Sequence, residues 1–111
     1  MRALAAILVT VALLPGAAFA ASAEKGKALF VSKGCYECHG FVGQGGAGVK
    51  IAPDPLPLAA MTAYVRNTMG NMPPYAAAVL SDQDLADIHA YLESIPKGTD
   101  YKTIPLLRDV K

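Results

Sequence analysis

The sequence predicts an all-α domain with about three main helices, and three observations support this fold class. The chain has 111 residues, which is room for a single domain. Three segments begin or end with residues typical of helix caps, and two of them carry apolar residues at helical spacing. No segment shows the alternation of apolar and polar residues that predicts a strand, and no internal repeat is present.

The first 20 residues have the pattern of a secretory signal peptide. Arg2 supplies a positive start, residues 3–14 are uncharged and mostly apolar, and Ala18-Phe19-Ala20 fits the small-x-small pattern of a cleavage site. The apolar run is shorter than the ~20 residues that span a bilayer, so we favour cleavage after Ala20 over a retained anchor. The expected mature protein is periplasmic, begins near Ala21 and has no stable membrane insertion.

Removal of this segment leaves a short chain without net charge. The ten basic residues of the full chain fall to nine because Arg2 is lost, and nine acidic residues balance them. This balance argues against a nucleic-acid partner, which would require a basic face. A domain of this size buries a modest core and often needs a disulfide, a metal or another staple for stability.

The first predicted helix covers residues 21–33. Ser22 is suited to the N-cap, Glu24 to the first turn, and Gly34 to the position just beyond the last turn. The chain then becomes irregular over residues 40–57, because five glycines fall within residues 40–48 and three prolines follow.

A short second helix is expected over residues 58–67. Pro57 is suited to its first position. Its apolar face comprises Leu58, Met61 and Val65.

The clearest helix covers residues 81–94. Ser81 and Asp84 form a capping-box-like start. The apolar stripe of this helix comprises Leu85, Ile88, Tyr91, Leu92 and Ile95. The acidic residues near its start, Asp82, Asp84 and Asp87, predict a face turned to solvent. Pro96 and Gly98 end the helix, so the predicted domain covers residues 21–98 and is followed by a tail, 99–111.

Cys35-Tyr36-Glu37-Cys38-His39 has the C-x-x-C-H pattern of covalent c-type haem attachment. Two thiols separated by two residues are suited to the two vinyl groups on one porphyrin edge, and the next residue brings an imidazole to the iron. One such motif predicts one haem c, bound through Cys35 and Cys38, with His39 as the proximal iron ligand.

Three other interpretations of these segments are weaker. A redox-active C-x-x-C of the thioredoxin kind requires a βαβ unit, and no strand is predicted. A zinc site would gain three ligands here, but a histidine directly after the second cysteine is not zinc-finger spacing. Residues 43–48 match G-x-G-x-x-G, yet a dinucleotide site requires a strand before this motif and a helix after it.

Residues 24–96 resemble the class I c-type cytochromes, the small monohaem cytochrome c family. The matching residues are Gly26, Phe30, Cys35-Tyr36-Glu37-Cys38-His39, Ala52-Pro53, Met72-Pro73-Pro74-Tyr75 and residues 85–92. The resemblance implies a cytochrome c fold around one haem, with the first and last helices crossing where Gly26 permits close approach and Phe30 packing against Tyr91. The chain departs from the family at Ala52-Pro53, where members often have Gly-Pro.

Met72 is the expected sixth ligand of the iron. Of the methionines that follow the signal segment, Met61 lies on an apolar helix face, where methionine usually packs, and Met69 is close enough to compete. Pro73 and Pro74 stiffen the loop after Met72 and so lower the cost of presenting a weak thioether ligand. The resemblance implies the same residue.

Three further residues are expected around the haem. The resemblance implies that the Pro53 carbonyl accepts the second ring N–H of His39, with Pro55 as the next candidate. Tyr64 is expected to line the haem pocket as a packing residue. Arg66 is suited to a haem propionate through its planar guanidinium, with an ordinary surface arginine as an equal alternative.

These features predict a single-electron carrier and no catalytic residue. A histidine–methionine iron has no open position for a substrate, and the methionine raises the reduction potential. The expected partners are redox proteins, a dehydrogenase as donor and an oxidase or another cytochrome as acceptor. The chain is either a soluble shuttle or the cytochrome subunit of a dehydrogenase. The alternative is a c-type haem enzyme, or a gas or redox sensor, with a displaceable sixth ligand.

Overall fold

The computed structural model describes residues 20–108, and these residues form four α-helices and no strand. The helices are α1 (Ala23–Ser32), α2 (Cys35–His39), α3 (Leu58–Arg66) and α4 (Asp82–Ser94). A single 3-10 turn, Tyr101–Thr103, follows in the tail. The predicted all-α fold is therefore confirmed. The predicted signal segment lies outside the described residues except for Ala20.

Within residues 20–108, no helix has both the length and the apolar character that a membrane span requires.

The predicted caps of α1 and α4 are confirmed. The Ser22 hydroxyl accepts a hydrogen bond from the Lys25 backbone N–H at 3.2 Å. Gly34, just beyond α1, has a φ of 80°, a left-handed conformation that favours glycine. The Ser81 hydroxyl accepts from the Asp84 N–H at 3.1 Å, and the Asp84 carboxylate accepts from the Ser81 N–H at 3.0 Å. Each such cap contributes about 1 kcal/mol, which matters for helices this short.

The first and last main helices cross closely at Gly26. A Cβ added there would overlap the backbone carbonyl of Asp87, so only glycine permits this approach. One turn further along, the ring centroids of Phe30 and Tyr91 lie 5.6 Å apart with the planes tilted by 57°, a distance at which aromatic pairs attract. The crossing and the aromatic contact implied by the family resemblance are therefore both present.

The core lies between α1 and α4 and extends to the end of α3. Its buried apolar residues are Phe30, Ala52, Val65, Leu80, Leu85, Ile88, Tyr91 and Leu92. The predicted stripe of α4 supplies half of them, while Ile95 is only partly buried. On α3, Val65 is buried and Met61 partly buried. Pro57 was predicted as the first helical residue of α3, but it is the N-cap and the helix begins at Leu58.

The predicted solvent-facing acidic stretch of α4 is confirmed only in part, because Asp82 is exposed but α1 covers Asp87. Asp87 is only 2% exposed and accepts from the Ser22 N–H at 2.8 Å and from the Lys25 ammonium at 3.0 Å. Lys25 also pairs with Asp84 at 3.3 Å. Burial alone would raise the pKa of Asp87, but these hydrogen bonds hold it below its ordinary value. Because the helices approach closely at Gly26, these carboxylates bind groups of α1 and its N-cap and so link the two helices.

Candidate functional site

The two cysteines and the following histidine lie together on α2. The chain turns at Gly34 and enters α2 directly, so the motif is helical. Residues three and four apart share one face of a helix, which places the side chains of Cys35, Cys38 and His39 on the same side. Both thiols are free; Cys35 is partly buried against the core and Cys38 is exposed. Burial raises the pKa of the Cys35 thiol.

The His39 ring is fixed by the backbone of residues 48–49. Its Nδ1 lies 2.7 Å from the Val49 carbonyl oxygen. Because a carbonyl oxygen only accepts, Nδ1 carries a proton, and in the neutral ring Nε2 then keeps the lone pair that a metal ligand needs. Gly48 provides the room, since a Cβ at that position would lie 2.9 Å from Cε1 of the ring. The ring is thus held in the tautomer and orientation of a ligating histidine.

The Pro53 carbonyl, which the family resemblance implied as the acceptor for His39, does not fill that role. The Gly43 carbonyl accepts from the N–H groups of Ile51 at 2.9 Å and Ala52 at 3.1 Å, which fixes the chain before Pro53 against the Gly43 turn. Pro53 lines a surface hollow shared with Ile95 and Pro96 at the end of α4. The glycine-rich loop instead brings Val49 to the histidine.

Residues 67–81 connect α3 to α4 and form the ligand loop, and Met72 is the better placed of its two methionines. It is partly buried and packs against the core, whereas Met69 is 78% exposed. The Thr68 hydroxyl donates to the Met72 carbonyl oxygen at 2.6 Å, which closes the loop on itself. Met61, on α3, also packs against the core, as expected of a packing methionine.

Tyr64 and Arg66 both hold the ligand loop. The Tyr64 side chain is 39% exposed, and its hydroxyl donates to the Met69 carbonyl oxygen at 3.2 Å. The Arg66 guanidinium donates to the Tyr75 carbonyl oxygen at 2.8 Å and to the Asp82 carboxylate at 2.6 Å. These contacts give Arg66 protein partners in this structure, and its contact with a propionate stays a prediction.

Tyr75 is a site residue whose contacts sequence reasoning missed. Its hydroxyl donates to the Lys33 carbonyl oxygen at 2.7 Å, two residues before Cys35. Burial raises the pKa of Tyr75, and acidic groups at Cys35 and Glu37 add to this, so the hydroxyl stays protonated as a donor. The one sequence feature that could have indicated this role is the position of an aromatic residue directly after Pro73-Pro74.

His89 is not free to serve as a ligand. Its Nε2 lies 3.0 Å from the Leu56 carbonyl oxygen, and its Nδ1 lies 3.3 Å from the Glu93 carboxylate. Both ring nitrogens therefore have partners: Glu93 lies on α4 itself, and the Leu56 carbonyl joins α4 to the loop before α3.

The segment between the two ligand candidates exposes many apolar side chains for so small a domain. They are Phe41, Val42, Val49, Leu56, Leu58, Tyr64 and Met69. An apolar group bound against these side chains would remove apolar surface from water. Two thiols, an imidazole and a thioether make up the donor set of a c-type haem, so the residue types present fit that group.

The side chains do not form the alternative centres. No three His, Cys, Asp or Glu side chains between residues 20 and 108 come together as a metal-binding group, as a zinc site would require. The same range lacks the strands that a thioredoxin-like or dinucleotide-binding unit needs.

Comparison with known proteins gives one family. The family described as cytochrome c oxidase, cbb3-type, subunit III matches residues 21–92, well over half of the chain. No curated protein and no solved structure matches.

Proposed function

The chain belongs to this family of c-type cytochromes, and from that premise we propose that it is a periplasmic single-electron carrier with one haem c. Membership indicates haem-based electron transfer rather than catalysis. We assign covalent attachment to Cys35 and Cys38, and axial ligation to His39 and Met72. The observation that carries the proposal is the 2.7 Å contact of His39 Nδ1 with the Val49 carbonyl oxygen, which leaves Nε2 of the neutral ring for the iron on the same helix face as both thiols.

The residues around the site would then have distinct tasks. The Val49 carbonyl accepts from Nδ1 and raises the basicity of the imidazole. The Met72 loop presents a thioether from a partly buried position. When bound, the haem would supply a one-electron couple, and an iron ligated by both residues would have no open position for a substrate.

The family implies redox proteins as partners in general. We propose a dehydrogenase as donor and an oxidase or another cytochrome as acceptor. The chain would reach them either as a soluble shuttle or as a subunit of a dehydrogenase complex. The balanced charge of the mature chain favours short-lived apolar contact over long-range electrostatic attraction.

Covalent attachment is the step to test first. The full chain is expressed in a host with a c-type maturation system, and the periplasmic fraction is run on a denaturing gel stained for haem. We expect stain on the polypeptide, a mass increase of one haem, and an N-terminus near Ala21. Ser32→Ala, next to the motif, serves as the control, and Cys35→Ala with Cys38→Ala should lose the stain. Complete removal of haem by acid acetone would refute covalent attachment.

A further inference from the structure

Tyr75 connects the two halves of the proposed haem site. Its hydroxyl donates to the Lys33 carbonyl oxygen at 2.7 Å, just before the attachment helix α2. Its backbone N–H donates to the Val65 carbonyl oxygen at 3.0 Å, in the last turn of α3. The residue packs against the same core cluster as Cys35. A single side chain thus joins the end of α1 to the loop that carries Met72.

Arg66 fixes the same residue from a third direction. One guanidinium nitrogen donates to the Tyr75 carbonyl oxygen at 2.8 Å, and the other donates to Asp82 at 2.6 Å. The Arg66 side chain is only 18% exposed, so its bond to the Tyr75 carbonyl is partly shielded from water. The hydroxyl, the N–H and the carbonyl of Tyr75 are therefore each held by a different group.

The position of Tyr75 limits the freedom of Met72. Only Pro73 and Pro74 separate them, and their fixed φ angles leave the connection few conformations. By comparison, the Tyr64 hydroxyl bonds Met69, five residues away, and so ties α3 only to the nearby ligand loop. The Lys33–Tyr75 bond joins positions 42 residues apart in the sequence.

We propose that Tyr75 is a positioning residue, whose hydroxyl bond to Lys33 holds the Met72 loop against the attachment helix. This bond would raise the free energy needed to move the Met72 thioether away from the iron. The inference rests on the proposed function, in which Met72 is the sixth ligand.

Competition with imidazole tests this role. Oxidised, haem-loaded protein is titrated with imidazole, and loss of the long-wavelength iron–sulfur absorption reports displacement of Met72. Tyr75→Phe removes only the hydroxyl, and we expect imidazole to bind about three to ten times more tightly, the range for one ordinary hydrogen bond. The matched control is Tyr101→Phe, a half-exposed tail residue, whose imidazole affinity should equal that of the unchanged protein.

The outcomes separate positioning from general stability. A Tyr75→Phe protein that is less resistant to denaturant but binds imidazole like the Tyr101→Phe control would overturn the inference. If Tyr75→Phe does not assemble, Arg66→Lys should show the same tighter imidazole binding, because lysine cannot span Tyr75 and Asp82 with a planar fork. Absence of the iron–sulfur absorption in the unchanged protein would instead refute Met72 ligation itself.

Discussion

Gly48→Ala tests how the proposed proximal ligand is held. A Cβ at residue 48 would lie 2.9 Å from Cε1 and 3.0 Å from Nδ1 of His39, closer than side chains normally approach. The ring must shift by a few tenths of an ångström, and its 2.7 Å bond to the Val49 carbonyl oxygen lengthens. A ring held to iron through Nε2 could not turn freely to restore this bond, whereas a free ring could.

The expected effect follows from that hydrogen bond. Loss of this bond should lower the unfolding free energy of the haem-loaded protein by about 1 kcal/mol. The imidazole also becomes less basic, which disfavours the oxidised iron, so the reduction potential should rise, by about 40 mV if the whole 1 kcal/mol acts on the oxidised state. Denaturant titration and redox titration measure the two quantities.

Gly98→Ala is the matched control for this change. A Cβ at Gly98 meets nothing within 4 Å, so both quantities should stay at the values of the unchanged protein. If Gly48→Ala behaved like Gly98→Ala in both titrations, the assignment of the Val49 carbonyl as the partner of a ligating His39 would be wrong.

Two further changes test the packing of α1 on α4. Gly26→Ala should lower the unfolding free energy by about 1–3 kcal/mol, because the added Cβ overlaps the Asp87 carbonyl. This cost exceeds the gain from the higher helix propensity of alanine. A denaturation midpoint equal to that of Gly98→Ala would contradict the close crossing. Folding lowers the pKa of Asp87 from its ordinary 3.8. The stability that Asp87 contributes is therefore complete well above pH 3.8, and it is lost as the pH falls through the lower pKa of the folded state. Asp87→Asn should therefore reduce stability at neutral pH and flatten the acid part of the stability profile, and an unchanged profile would show that Asp87 is not the group responsible.

The main helices could be predicted because their signals are local. Ser22, Gly34 and the Ser81–Asp84 pair act within one turn of the residues they cap, and the stripe of α4 depends only on spacing. The spacing of the motif at Cys35 is also a local signal and predicts its chemistry, although the sequence did not predict that the motif is helical.

The contacts that complete the site depend on the path of the chain. Whether Val49 or Pro53 meets His39 is decided by the turns of a glycine-rich loop, which have no periodic signal. The burial of Asp87 depends on which face of α4 is covered by α1, and the bond from Tyr75 to Lys33 joins distant segments. Long-range pairings of this kind are visible only once the fold is assembled.

The identity of the sixth ligand tests the electron-carrier proposal most directly, because a saturated iron separates a carrier from an enzyme or sensor. The measurement compares Met72→Ala with Met69→Ala in oxidised, haem-loaded protein. Met69 is 78% exposed, so its loss should leave the long-wavelength iron–sulfur absorption and the reduction potential unchanged. Met72→Ala should abolish the absorption and lower the potential. Loss of the absorption in Met69→Ala alone, or its absence from the unchanged protein, would contradict the account.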